Sequence, residues 1–103
     1  MVPFTTRIAE RGDETVIAFT GDLDVSTRRP ARDTLQAALG EGTGPLVLDL
    51  TDIEFLDSTG LTVLVNTANE AKRLGRPFTI VVPDGQARRT LELSGLDEEL
   101  PVV

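Results

Sequence analysis

Neither cysteine nor histidine occurs anywhere in this chain. Without cysteine there is no disulfide and no thiolate metal site, and a reducing compartment, the cytoplasm, is the expected setting. Without histidine the chain lacks the commonest general base and the commonest metal ligand at once. Lysine is nearly missing too. Lys72 stands alone against nine arginines, a bias to which we attach no function. Long apolar runs are absent: nothing approaches the roughly 18 consecutive apolar residues of a membrane-spanning helix. The opening residues, MVPFTTR, have neither the charged start nor the apolar core of a signal peptide. No membrane association is expected.

What is present suits one folded domain, residues 1–103. Apolar residues make up 40% and charged residues 26% of 103, a globular balance. A chain of this length buries about 60–70% of the surface its unfolded form exposes, enough for one modest core. The net charge of −7 would repel a phosphate backbone, which argues against nucleic acid as a partner. The same charge keeps a small protein soluble, and a monomer is expected when it is unbound.

Residues 4–10 and 15–19 (TVIAF) read as two strands joined by the polar turn Arg11-Gly12-Asp13-Glu14, a hairpin. Gly21-Asp22-Leu23-Asp24 reads as a tight loop. Ser26 and Thr27 offer helix caps with Pro30 in the first turn, and Ala31, Leu35, Ala38 and Leu39 form one apolar stripe. Gly40, Gly42 and Gly44 stop that helix. Residues 46–50 (LVLDL) fit a strand buried on both faces, interrupted by Asp49, which is expected to pair with a neighbouring loop. A second helix carries Leu61, Leu64, Val65, Ala68 and Ala71 on one face and closes at Gly75. A further strand, 78–82 (FTIVV), follows. Asp84 is a candidate cap for a third helix, 86–93, with Ala87 and Leu91 inward; 100–103 is a last strand or a tail. The order β-β-α-β-α-β-α(-β) implies an antiparallel start and then parallel strands in one mixed sheet, with helices packed against it.

The stretch FLDSTGL, residues 55–61, carries the chemical question. A nucleophilic Ser58 needs a base. No histidine exists, an adjacent carboxylate of ordinary pKa is too weak, and Lys72 lies about 20 Å further along the same helix. A nucleophile elbow also wants glycine two residues before the serine, where Leu56 stands. No catalytic residue is therefore assigned and no enzyme activity is expected. The three glycines before residue 46 lack a following Lys-Ser/Thr and so make no phosphate loop. Asp22 and Asp24 are too few oxygens for a calcium loop, and no metal site is assigned. Two readings of Ser58 remain open. It caps a helix, accepting an orphan N–H for about 1 kcal/mol. Or it is a kinase substrate held at a helix start, where a phosphate of about −1.5 to −2 charges is tolerated.

GDLDVST (21–27), LVLDLTDIEFLDSTGL (46–61) and LSGL (93–96), in that order, resemble STAS domains, and more narrowly the bacterial anti-sigma factor antagonists. The resemblance implies a chain that binds an anti-sigma factor serine kinase, frees a sigma factor, and is switched off by phosphorylation and restored by a serine phosphatase. It implies Ser58 as phosphoacceptor, preceded by Asp57, with Thr59 offering a second hydroxyl beside it. It implies a partner surface formed by Thr59, Gly60 and Thr62 together with Asp24, Ser26 and Thr27 of the GDLD loop, the two loops lying side by side. Phe55, Leu93 and Leu96 are expected in the core. Any nucleotide would belong to the kinase, so no cofactor is expected. Family members usually continue past LSGL through a strand into a final helix, for which this sequence has little room. STAS domains also serve as non-switching subunits of larger regulatory or transport assemblies, the alternative for this chain.

Overall fold

The computed structural model describes residues 2–103. Strands β1 (Thr5–Arg11) and β2 (Glu14–Leu23) form the antiparallel hairpin. Arg11 pairs with Glu14 across Gly12-Asp13, and Gly12, at φ 64°, supplies the left-handed residue that so short a turn needs. Helix α1 (Arg28–Gly40) then crosses to β3 (Leu46–Leu56), which lies parallel to β2. Helix α2 (Ser58–Arg73) crosses to β4 (Phe78–Val81), parallel to β3. Helix α3 (Gln86–Ser94) and a one-turn helix, α4 (Leu96–Glu99), complete the order, and the sheet runs β1-β2-β3-β4. After α4 the chain returns to the sheet, where Val102 bridges Ile80 in parallel.

One face of the sheet makes the core. Ile17, Leu48 and Ile80 stand in register across three strands and are fully buried. Leu35 and Leu39 of α1, Val63 and Leu64 of α2 and Leu91 of α3 close over that row. The alternate row, Val16, Val47 and Thr79, is only half-buried. Successive side chains of a strand point to opposite faces, so the helices pack on one side.

Several expectations are corrected. Gly21, Asp22 and Leu23 are not a loop: they extend β2 and pair with β3 as far as Leu23 opposite Leu56. The register shifts between Ala18 and Thr20 and between Gly21 and Asp22, and Gly21 takes φ 91° there. A glycine and two aspartates look like a turn in one dimension, but a bulge lets them remain in a strand. A Cβ on Gly21 would also come within 3.0 Å of the backbone of Val2 and Pro3. Asp49 does not reach a neighbouring loop; its Oδ1 accepts from the backbone N–H of Thr51 at 2.9 Å and from the Thr51 hydroxyl. Asp84 does not cap α3, where Gly85 holds the cap position without a side-chain bond; Asp84 lies 3.8 Å from Arg88 instead. Phe55 is 41% and Leu93 89% exposed, so neither is core, while Leu96 packs partly against it.

Arg76 is buried, a placement that no local pattern in the sequence signals. Its Nε donates to the Gly44 carbonyl at 2.7 Å and its Nη1 to the Ala38 carbonyl. The guanidinium thereby serves the negative, carbonyl-rich end of α1, and this is how its charge is accommodated inside.

Candidate functional site

Two loops leave the same edge of the sheet because two parallel strands end together. Leu23 and Leu56, both fully buried, are opposite each other as β2 and β3 finish. Asp24 follows one and Asp57 the other. The Asp57 N–H points to the Leu23 carbonyl at 3.5 Å, a direct link between the loops.

Asp57, not Ser58, caps α2. Its backbone is extended (φ −113°, ψ −171°), and its Oδ1 accepts from the Gly60 N–H at 3.0 Å. An aspartate here also places negative charge at the positive end of the helix. Ser58 is consequently the first helical residue. Its side chain is exposed and its hydroxyl has no hydrogen-bond partner among the described residues. Thr59 is half-buried. Thr62 is exposed, one turn on, and its hydroxyl donates to the Ser58 carbonyl at 3.1 Å. Gly60 is buried where α2 presses on the strand ends. A Cβ there would stand 2.4 Å from both the Leu23 carbonyl oxygen and Leu56 Cδ1.

The other loop is held by its own side chains. Asp24 Oδ1 accepts from the Ser26 N–H at 2.9 Å and from the Ser26 hydroxyl at 2.6 Å. The Thr27 hydroxyl donates to the Asp22 carbonyl at 2.7 Å and accepts from the Asp24 N–H at 3.0 Å. Thr27 does occupy the cap position of α1, but its hydroxyl is spent on the loop and makes no cap bond. Val25, between them, is well exposed.

The Ser26 hydroxyl holds the Asp24 carboxyl below its ordinary pKa; burial opposes it less strongly, and the backbone N–H groups of Ser26 and Thr27 add smaller lowering contributions. A carboxyl with a lowered folded-state pKa contributes stability above its unfolded value, near pH 4, and that contribution is lost as pH falls through the lowered value. Comparison of wild type with Asp24→Ala in urea between about pH 5 and pH 2 should show their stability difference shrinking as the solution is acidified. Parallel curves would contradict the assignment.

One residue that positions the site had no signal in the sequence. The Gln86 side chain acts as a strand surrogate at the end of β3: its Oε1 accepts from the Leu56 N–H at 2.8 Å and its Nε2 donates to the Leu56 carbonyl at 2.9 Å. Nε2 also donates to the Thr90 hydroxyl at 3.0 Å. The amide thus fixes the backbone just before Asp57. Gln86→Ala leaves two partly buried backbone groups without this partner and should cost about 1–3 kcal/mol, read as a lower urea midpoint at unchanged slope. An unchanged midpoint would remove Gln86 from this role.

The structure therefore brings Asp24, Ser26, Thr27, Asp57, Ser58, Thr59, Gly60 and Thr62 to one edge of the domain, in two loops. Among the described residues no group of three or more side chains is arranged to hold a metal ion. No helix there is long and apolar enough to cross a membrane.

A hairpin leading into parallel βα units, with two loops meeting at the ends of β2 and β3, defines an α/β module of the STAS type. The chain belongs to the STAS-domain family: the family model described as "Mlab, STAS domain" matches residues 6–103. It is 28% identical over 94 residues to the anti-sigma-F factor antagonist RsfB of Mycobacterium tuberculosis, covering 91% of this chain and 76% of that one. It is 27% identical over 82 residues to an anti-sigma-B factor antagonist of Staphylococcus aureus, covering 80% of this chain and 76% of the relative. Among solved structures, an anti-sigma factor antagonist from Mycobacterium paratuberculosis superposes with a TM-score of 0.87 at 29% identity, over 97% of this chain and 85% of the other.

Proposed function

We propose that this chain is an anti-sigma factor antagonist. It binds an anti-sigma factor that is also a serine kinase, releases the sigma factor held by it, and is switched off by phosphorylation at Ser58. The observation that carries this reading is the division of labour at FLDSTGL. Asp57 satisfies the helix start, so the exposed hydroxyl next to it has no structural duty. A phosphate at Ser58 faces the free N–H groups and positive end of α2, so the modified domain stays folded. The relatives named as anti-sigma factor antagonists support the same reading.

In this account residues 1–103 act as one domain and no step of catalysis is theirs; the nucleotide and the phosphoryl transfer belong to the kinase. Asp24, Ser26, Thr27, Asp57, Thr59 and Thr62 form the surface against which the kinase closes, and a serine phosphatase resets it. Gly60, expected on that surface, lies buried beneath it and seats α2 on the strand ends. The two hydroxyls of the turn differ in access, Ser58 exposed and Thr59 half-buried, which favours Ser58 as acceptor. As a non-switching subunit the chain would keep this surface permanently occupied, a reading that leaves the unengaged Ser58 hydroxyl without a use.

The test is sigma release. Added to a purified complex of anti-sigma kinase and sigma factor, the unmodified chain should displace sigma, seen as free sigma by size-exclusion chromatography. The chain pre-phosphorylated on Ser58 should not. A complex left intact by excess unmodified chain, with every anti-sigma kinase from the same genome, would refute the proposal.

A further inference from the structure

The two helices that start at the candidate site enclose a groove of about 890 Å³ that runs away from it. Arg28, Arg32 and Gln36 of α1 recur every four residues and face Thr62, Asn66 and Glu70 of α2, which recur at the same spacing. Both helices leave the same edge of the sheet, so the groove opens beside Thr62, one turn from Ser58, and ends near Arg73. Its lining carries three arginines against one glutamate, on a chain of net charge −7. That glutamate, Glu70, is already engaged by Arg73 through a two-pronged contact of 2.5 and 3.0 Å. Arg32 has only a loose neighbour, Asp33 at 3.6 Å, and Arg28 has no carboxylate partner among the described residues. All three guanidinium-bearing residues are exposed.

We infer that the α1–α2 groove receives an acidic segment of the protein partner that engages Ser58, an inference that rests on the proposed function and names the chemistry of its docking surface. The spacing selects the occupant. Arg28 and Arg32 are about 6 Å apart along α1, and Thr62 and Arg73 about 16 Å apart along α2, at 1.5 Å rise per residue. A single small anion fills only the end at Arg28 and Arg32, whereas a peptide segment with carboxylates one turn apart pairs with both of these arginines and runs on along the Asn66 and Asn69 wall toward the Arg73–Glu70 pair. Guanidinium groups pair with carboxylates in two-pronged fashion, and the Asn66 and Asn69 amides on the same wall serve backbone groups. Opposed charge of this kind also steers encounter, so association through the groove weakens as salt rises.

The probe is a synthetic peptide of about a dozen residues with glutamate at every fourth position, titrated into the isotope-labelled chain at low salt and followed by NMR. Shifts should map to Arg28, Arg32, Asn66, Asn69 and Arg73. Arg28→Glu/Arg32→Glu should weaken binding about tenfold or more, and Arg28→Lys/Arg32→Lys far less. Both variants alter exposed side chains, and an unchanged melting curve confirms that they fold. Absence of shifts, shifts confined to other arginines, or equal competition by inorganic phosphate would overturn the inference. The second arm uses any kinase that modifies Ser58: it should bind Arg28→Glu/Arg32→Glu at least about tenfold more weakly, and undiminished binding would overturn the groove while leaving the switch intact. If no kinase modifies Ser58, the proposed function fails, and the peptide titration still decides the groove.

Discussion

Phosphorylation of Ser58 should weaken binding to the kinase partner by about 30- to 700-fold. In the free protein the phosphate sits at the N-terminus of α2, in water, beside donors that suit it. In the proposed complex the same phosphate would be taken out of water next to Asp57, with Asp24 on the adjoining loop. Burial of a poorly paired charge costs roughly 2–4 kcal/mol, and at about 1.4 kcal/mol per decade this gives the stated range. Ser58→Asp reproduces the sign of the charge and should bind clearly more weakly than wild type. Ser58→Ala should bind as wild type does and be immune to the switch. Isothermal titration of the three forms against the kinase, without ATP, reads the effect directly. Equal affinity of wild type and Ser58→Asp would show that charge at this position is not what breaks the complex.

Gly60→Ala should destabilise the domain by about 1–3 kcal/mol, the usual cost of forcing a methyl group into a filled site. For a domain of this size that corresponds to a fall of roughly 5–20 °C in melting temperature. The added Cβ meets a carbonyl oxygen and a methyl group of the two strand ends at 2.4 Å. Neither can retreat alone, since Leu23 and Leu56 are paired in register and both are core residues. Any relief moves α2 outward and separates the Asp24 loop from the Ser58 turn, so phosphorylation of the refolded variant should slow as well. Gly40→Ala is the control: nothing lies within 4 Å of its added Cβ, and the helix gains a better residue. A melting temperature for Gly60→Ala within about 2 °C of wild type would mean that the approach of α2 to the strand ends is loose.

The fold was legible where it depends on local period. Alternating β-branched runs and apolar stripes at helical spacing specify the elements, and alternation of strand with helix specifies parallel pairing. The resemblance in FLDSTGL and GDLD supplied the rest of the candidate site. What local pattern did not disclose was the division between neighbours. Asp57 and Ser58 are both good cap residues, and the choice falls on the residue whose backbone is still extended as it leaves β3. Leu93 reads as core by its apolar character, but it lies two residues, about 200°, past the buried Leu91, on the opposite side of α3. Gln86 contacts a backbone 30 positions away, and Arg76 one 32 and 38 positions away. No window of sequence contains such pairs.

The most direct test of the central claim is the site of phosphate. The chain is mixed with ATP and each anti-sigma kinase from its genome, its intact mass is measured, and the modified residue is located by fragmentation. A single phosphate on Ser58, missing in Ser58→Ala, is the predicted result. Phosphate on Thr59 instead, or none with any such kinase while the chain still binds it, would contradict the claim that the unengaged hydroxyl beside the Asp57 cap is the switch.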